Sequence, residues 1–298
     1  MNQLLVVLCI LASLGAGSAR ADADSAAAAY FEHRERLHYD NAARSTSVAR
    51  ADTLVKGIYR LEDRASGRFI ALVTERGDLK GDSEGWTRVG PDGPEPLTTA
   101  ELAQLRAEVM RNIAWDQLIE DRYGSGGGRR LILISAVNCP FCENMGANLA
   151  RMAASLDTTF YVLPTSLAPL SNEGAGLRTW QQAAALRCAK DPGAAWRRFW
   201  THRSVPNSAG CAIDAEAAQR SYRNFGMVLA SIGTRVSGTP AVIREDGTRL
   251  TVPPDMNLAY ATAVYGPAGL PAGLPARNMP PVWLVGPQKG APQTSGKY

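Results

Sequence analysis

The chain has 298 residues, and its 32 Lys and Arg residues nearly balance its 28 Asp and Glu residues, which gives a formal net charge of +4. The basic residues form no dense run, so the sequence has no nucleic-acid-binding footprint and we expect no nucleic-acid partner. A chain of this length favours two domains.

The first segment has the features of a secretory signal peptide. Residues 4–14 are almost wholly apolar, and Ala19-Arg20-Ala21 is a small-x-small cleavage site. We therefore predict that residues 1–21 form a signal peptide and that the protein is exported. The segment before the apolar run has no Lys or Arg, which leaves an uncleaved membrane anchor as the alternative, although the run is short for a spanning helix.

Removal of the signal peptide would also remove Cys9 and leave an even number of cysteines, which in an exported protein indicates paired cysteines. The four that remain are Cys139, Cys142, Cys188 and Cys211. A zinc site made from all four is the alternative. Structural zinc sites usually show two close pairs of ligands, and this sequence has one, so we expect no metal.

Residues 22–97 are predicted to form a small α+β domain. Residues 22–55 are rich in Ala and Arg and are predicted to be helical in part. Short β-like stretches follow, the clearest at residues 68–74, with turn signals after them. The segment Pro91–Pro96 is predicted to be a Pro/Gly-rich break.

A linker helix and a glycine-rich loop are predicted over residues 98–128. Thr98 and Glu101 form a capping-box pattern, and apolar residues at helical spacing follow on one face. We expect this helix to continue to about Arg122 and the loop to cover Gly124–Gly128. The loop precedes a strand, so it does not have the context of a phosphate cradle, and we expect no cofactor.

Residues 129–266 are predicted to form a catalytic domain, and residues 267–298 a Pro/Gly-rich tail that is disordered or loosely packed. The predicted order of elements is a strand at 131–137, a helix at 142–156, a strand at 159–163, a helical section at 177–232, a strand at 241–244, a hairpin turn into a strand at 249–252, and a last helix at 256–265.

The most informative motif is Cys139-Pro140-Phe141-Cys142, which lies where a predicted strand ends and a helix begins. A thiol in the first turn of a helix faces unpaired backbone N–H groups and the positive end of the helix dipole, and both favour the thiolate. Pro140 lacks an N–H, which costs little at this position. Because the thiolate is the species that attacks disulfides, the motif indicates redox chemistry on the cysteines of other proteins.

This order of elements, with Thr239-Pro240 opening a late strand, resembles the thioredoxin plan, in which that proline is cis and lies against the active-site sulfurs. Val236–Val242 and the surroundings of Cys188 and Cys211 are similar to the bacterial periplasmic disulfide isomerase family of DsbC and DsbG. The strong similarity covers about residues 131–252. It implies a mixed α+β and α/β chain, in which a thioredoxin-like fold with a helical insertion follows a small α+β domain and a linker helix.

The resemblance implies that Cys139 is the exposed nucleophile and that Cys142 is the resolving thiol, which releases a trapped mixed disulfide. Phe141 departs from the family, which usually has Tyr there. Phe keeps an aromatic surface and loses the hydroxyl. Since the residues between the cysteines tune the reduction potential, the direction of electron flow stays open.

The resemblance also implies that Cys188 and Cys211 form a structural disulfide within the helical insertion. The cis bond would turn the backbone of Thr239 toward a docking groove, where it can pair with an extended substrate segment as in strand addition. Pro240 would lie against the active-site sulfurs.

The resulting hypothesis is a periplasmic, Gram-negative-type thiol–disulfide isomerase or reductase that acts on misfolded or misoxidised exported proteins. The resemblance implies a membrane electron donor of the DsbD type and a homodimer formed through residues 22–97. One alternative is a dedicated redox partner of a secretion or conjugation apparatus, which the unusual N-terminal segment and the tail suggest. A second alternative is a chaperone-like binding module whose disulfide is incidental.

Overall fold

The structure is a computed structural model that describes residues 23–34, 46–82, 84–90, 92–125, 129–171, 173–207, 211–250 and 252. The predicted signal peptide at 1–21, the last helix at 256–265 and the tail at 267–298 lie outside these residues. Within these residues, no helix is long and apolar enough to cross a membrane.

The N-terminal part is one helix and one antiparallel sheet. Residues 23–34 are helical and are named α1. The six strands pair in sequence order, each antiparallel to the next. They are β1 Ser47–Arg50, β2 Ile58–Asp63, β3 Phe69–Thr74, β4 Leu79–Asp82, β5 Gly85–Gly90 and β6 Gly93–Pro96.

The sheet agrees with the β-like stretch predicted at residues 68–74, which is β3. The break predicted over Pro91–Pro96 is wrong in part, because Pro94 and Pro96 lie in β6, which pairs with β5. Proline cannot donate to a sheet ladder, but β6 is an edge strand, and there one side of the backbone needs no partner.

Each face of this sheet is covered. Tyr59, Leu61 and Val73 point to one face, where they pack against Tyr30 and Phe31 of α1. Side chains from the opposite face, including Ile58, Leu72 and Trp86, belong to a second apolar cluster that extends into the rest of the molecule. The alternation follows from the period of two in a strand, which sends successive side chains to opposite faces.

The linker helix, α2, covers Thr99–Arg111. Its predicted capping box is present: the Thr98 hydroxyl accepts the backbone N–H of Glu101, and the Glu101 carboxylate accepts the backbone N–H of Thr98. The helix does not reach Arg122 as predicted, because it ends at Asn112 and is followed by a 3-10 turn at Trp115–Gln117.

The next element is a strand that the sequence analysis missed. This strand, β7, covers Ile119–Tyr123, and its alternate residues Ile119, Asp121 and Tyr123 are buried. A charged residue at a buried position hides the alternation of apolar and polar residues that would have predicted the strand.

The C-terminal part contains a five-stranded sheet and four helices. The remaining elements are β8 Arg129–Ala136, α3 Pro140–Arg151, β9 Thr158–Thr165, α4 Gly174–Arg187, α5 Pro192–His202, α6 Ala215–Ser231, β10 Ala241–Arg244 and β11 Arg249–Leu250. The strand order is β11-β10-β8-β9-β7. β8 and β9 are parallel, and the other neighbours are antiparallel.

This arrangement is the expected thioredoxin-like fold with a helical insertion. The long helical section predicted at 177–232 is three helices, which end at Arg187, His202 and Ser231. Asp191 and Asp214 cap the second and third of these helices with their side chains, each accepting a backbone N–H.

The two sheets share one apolar core. Ile132 and Ile134 of β8 belong to the same cluster as Leu72 and Trp86 of the N-terminal sheet, with α2 and α6 between the sheets. At this junction the Trp86 indole N–H donates a 2.8 Å hydrogen bond to the Ser231 hydroxyl. The predicted domain boundaries at residues 97/98 and 128/129 therefore cross a region of continuous packing, and they stay predictions.

We expect Trp86→Ala to lower the free energy of unfolding by about 3–5 kcal/mol, because it removes a large buried side chain from the junction. Urea unfolding followed by far-UV circular dichroism measures this effect. Trp86→Phe keeps most of the packing and loses the hydrogen bond to Ser231, so it should cost about 1 kcal/mol. Separate unfolding transitions for the two sheets in the unmodified protein would contradict the shared core.

Candidate active site

The two cysteines of the motif lie at the start of α3, directly after β8. Cys139 is the N-cap residue, with extended backbone angles (φ −107°, ψ 120°), and Pro140 is the first residue of the helix. The Cys139 sulfur accepts the backbone N–H of Cys142 at 3.4 Å. An N-cap side chain normally supplies an oxygen for this bond, so here a thiol or thiolate takes the place of a capping hydroxyl.

The segment Thr239-Pro240 lies against this thiol. The peptide bond between the two residues is cis, as the resemblance implied. The Cys139 thiol donates to the Thr239 carbonyl at 3.4 Å, across 100 residues of sequence. The Thr239 hydroxyl is buried and has no hydrogen-bond partner in the described part of the chain, so it is free to donate to a thiolate beside it.

Both cysteines are free thiols, and both are buried. Cys139 is 4% exposed and Cys142 is 1% exposed, so the expectation of an exposed Cys139 is wrong. The reason is that the Cys139 sulfur turns back over the first turn of α3 and lies against Thr239. Phe141, between them, is instead 59% exposed.

The two thiols differ strongly in acidity. Burial raises the pKa of Cys139, but hydrogen bonds from the Cys142 thiol and from the backbone N–H groups of Cys142 and Phe141 outweigh burial, so its pKa is lowered overall. Burial raises the pKa of Cys142 to about 12. Cys139 is therefore the thiol that ionises first, and its role as nucleophile stays a prediction.

A cavity next to Cys142 holds ionisable groups that the sequence analysis did not identify. Its polar lining comes from Asp121, Tyr123, Ser135 and Arg197, and its apolar lining includes Trp196 and Trp200. Asp121 is 1% exposed and accepts hydrogen bonds from the Tyr123 hydroxyl, at 3.0 Å, and from the Arg197 guanidinium. Burial raises the pKa of Asp121 to about 6, in spite of Arg197. The sequence does contain a signal for this site, because Asp121 alternates with Ile119 and Tyr123 and so lies on the same face of a strand as they do.

Cys188 and Cys211 form a disulfide, with their Cα atoms 5.5 Å apart. This pairing disagrees with the zinc alternative. The bond closes the segment that contains α5, and α5 packs against α3. The pair therefore lies one helix away from the active site.

Leu167 is an exposed apolar side chain close to the motif, in addition to Phe141 within it. Leu167 is 56% exposed, and its backbone N–H donates to the Asn138 side chain at 2.9 Å, directly before Cys139. Phe141 and Leu167 are the two large hydrophobic residues found exposed within the described ranges. Sequence reasoning singled out Phe141 and missed Leu167, whose place beside Asn138 depends on the tertiary fold.

Comparisons with known proteins give matches among solved structures. No protein-family model matches the sequence, and no curated protein matches it. A disulfide interchange protein from Neisseria gonorrhoeae is 20% identical over 52% of this chain and 99% of its own, with a TM-score of 0.38.

Two other solved structures are similar at lower identity. A linker-deletion mutant of Proteus mirabilis ScsC is 13% identical over 56% of this chain and 83% of its own, with a TM-score of 0.30. Helicobacter pylori DsbG is 10% identical over 63% of this chain and 86% of its own, with a TM-score of 0.30.

We expect iodoacetamide to modify Cys139 of the reduced protein long before Cys142 at pH 7. A thiol with a pKa near 12 is ionised in only about one molecule in 100,000 at this pH, and the thiolate is the form that reacts. Mass spectrometry of tryptic peptides after short labelling measures the two rates. Equal labelling of the two cysteines would contradict the assignment of the nucleophile.

The Asp121 carboxyl predicts a specific dependence of stability on pH. Its folded-state pKa, about 6, lies above the value of about 3.9 in an unfolded chain, so the folded state binds this proton more tightly. The free energy of unfolding should therefore fall by up to about 3 kcal/mol from this group as the pH rises from about 4 to above 6.

Asp121→Asn removes this titration and keeps the shape of the side chain. We expect the two proteins to have similar stability at pH 4 and the variant to be the more stable one at pH 7. Chemical denaturation of both proteins across this range measures the difference, in which the contributions of the other carboxylates cancel. If the free energy of unfolding changed with pH in the same way in both proteins, this would contradict a buried Asp121 carboxyl with a raised pKa.

Proposed function

We propose that this chain is a thiol–disulfide oxidoreductase that acts on disulfides of other proteins as an isomerase or reductase. The observation that carries the proposal is the arrangement of Cys139, which caps α3 with its sulfur, contacts the carbonyl of Thr239 and has a lowered pKa. Cys142 behind it is more deeply buried and has a raised pKa. Cys139 is thus the thiol that attacks the client, and Cys142 reacts afterwards.

The reaction begins when the Cys139 thiolate attacks a disulfide of the client protein. One client sulfur becomes bonded to Cys139, and the other leaves as a thiolate. If that thiolate attacks a different disulfide of the client and a client thiolate later displaces Cys139, the disulfides are rearranged with no net change in electrons. This sequence is the isomerase reaction.

Reduction follows when Cys142 attacks the sulfur of Cys139 in the mixed disulfide. The client leaves as a dithiol, and a Cys139–Cys142 disulfide forms, so two electrons pass from the enzyme to the client. Cys142 must lose its proton in this step, and the carboxylate that lines the same cavity is Asp121. A dithiol donor must then return two electrons, and we propose a membrane donor of the DsbD type for this role.

The surface around the motif supports a polypeptide as the substrate. Phe141 and Leu167 expose apolar area on two sides of Cys139, and such area suits contact with the apolar side chains of an incompletely folded chain. The cis peptide at Thr239-Pro240 lies beside the sulfur, where an extended client segment can pair with backbone groups. We propose exported proteins in the periplasm as the clients and residues 22–97 as the dimerisation unit.

The test is a pair of cysteine variants assayed on insulin reduction and on the refolding of scrambled ribonuclease. Cys139→Ser should reduce both activities to background, because no nucleophile remains. Cys142→Ser should lose insulin reduction and accumulate a mixed disulfide with its client, which non-reducing electrophoresis followed by mass spectrometry detects. Full biological activity of Cys139→Ser would contradict the proposal and favour a chaperone-like binding module.

The reduction potential of the Cys139–Cys142 pair indicates in which direction electrons flow between the enzyme and its client. A value near that of a strong oxidant, about −120 mV, would favour disulfide donation, and a more reducing value would favour isomerase or reductase activity. Equilibration with glutathione buffers measures it. Activity confined to one secretion or conjugation substrate, with none on scrambled ribonuclease, would favour the dedicated redox partner.

A further inference from the structure

Helix α5 lies so close to the active-site helix α3 that only glycine fits at one contact. A Cβ atom on Gly146 of α3 would lie 2.4 Å from Cγ of Trp200, which is shorter than any ordinary contact. Trp196 and Phe199 of the same helix are also in the apolar cluster that contains Cys139 and Cys142. The end of α5 is therefore held at a fixed place beside the first turns of α3.

The residue that ends α5 has an unusual backbone conformation. Arg203 is the C-cap residue and is left-handed, with φ 53° and ψ 25°. Together with Leu54, it is one of two non-glycine residues with positive φ in the part of the chain that the structure describes. Helices often end in this conformation, but glycine usually occupies it, because a Cβ atom is disfavoured there. An arginine at this position suggests that its side chain has a role.

The Arg203 guanidinium has three partners. It forms an ion pair with the carboxylate of Glu143 on α3. It also lies 5.4 Å from the ring centroid of Phe199 and 5.2 Å from that of Trp200. The side chains of Arg203 and Glu143 are 45% and 48% exposed, and a pair this exposed contributes little to stability by itself.

Glu143 is close to the nucleophile. It is four residues after Cys139, so the two lie on the same side of the first turn, and its backbone N–H donates to the Cys139 carbonyl at 3.0 Å. Glu143 is the acidic residue of that turn. A carboxylate here opposes the formation of a thiolate on Cys139, because like charges disfavour one another.

We propose that Arg203 is a positioning residue that holds and neutralises Glu143 and so preserves the thiolate of Cys139. The inference rests on the proposed function only for the statement that the thiolate is the attacking species. The groups that contact the Cys139 sulfur are the Cys142 thiol and backbone N–H on α3 and the carbonyl of Thr239 from the opposite side. Within the described residues, Glu143 and Arg203 are paired on the outer side of this turn, and Asp121 and Arg197 are paired in the cavity next to Cys142. Asp121 and Arg197 are unchanged in every variant below, so their contribution is the same in each comparison.

The test is the pH dependence of iodoacetamide labelling of Cys139 in the reduced full-length protein. Arg203→Gln should slow labelling at pH 6 by about threefold, the order of effect of one uncompensated charge roughly a helical turn away in water. Glu143→Gln should not slow it, and the double variant should behave like Glu143→Gln. A double variant that stays as slow as Arg203→Gln would overturn the role of Glu143.

Three further variants separate charge from structure. Arg203→Gly relieves the left-handed backbone, so it should keep or raise the melting temperature while slowing labelling as Arg203→Gln does. Arg203→Lys should restore most of the rate. Arg198→Gln removes a charge from an exposed position of the same helix and should leave the rate unchanged.

The proposal is overturned if Arg203→Gly and Arg203→Gln label at the rate of the unmodified protein. Labelling involves no client, so its outcome is independent of the insulin and ribonuclease assays. A protein that shows the predicted labelling pattern and no activity on any disulfide would overturn the proposed function and leave this inference standing.

Discussion

The place of the Cys139 sulfur at the junction of β8 and α3 is the constraint on which the rest of the site depends. The sulfur caps the helix by accepting the backbone N–H of Cys142, and it also contacts the carbonyl of Thr239. The contact with Thr239 joins distant segments of the chain, which β10 brings together by pairing with β8. The sheet register therefore brings the cis peptide to the thiol, and the helix N-terminus lowers its pKa.

The two thiols have different acidities because their surroundings differ. Both are nearly inaccessible, but Cys139 faces N–H groups at a helix end, whereas Cys142 faces a cavity lined in part by aromatic rings. A thiolate on Cys139 has hydrogen-bond donors beside it, whereas a thiolate on Cys142 has few. The pKa of Cys139 is therefore lowered, and the pKa of Cys142 is raised. This difference means that Cys139 loses its proton before Cys142 does.

Much of the fold could be predicted from local patterns. The capping box at Thr98 and the strand before the motif were predicted from residues a few positions apart, and the cis bond before Pro240 was implied by the family resemblance. The predictions failed where tertiary contacts overrode local pattern. β7 was missed because Asp121 occupies a buried position, where it accepts hydrogen bonds from Tyr123 of the same strand and from Arg197 of α5. The burial of Cys139 could not be predicted either, since it depends on Thr239 and the packing around α3.

The disulfide between Cys188 and Cys211 has a consequence for how such a molecule matures. The disulfide joins the two ends of the segment that contains α5, and α5 packs against the helix that carries Cys139 and Cys142. An isomerase requires the neighbouring pair, Cys139 and Cys142, to be reduced at the same time. A chain with the proposed isomerase activity would therefore hold two cysteine pairs in opposite redox states. It would need an oxidant for Cys188 and Cys211, and a reductant that acts on Cys139 and Cys142 alone.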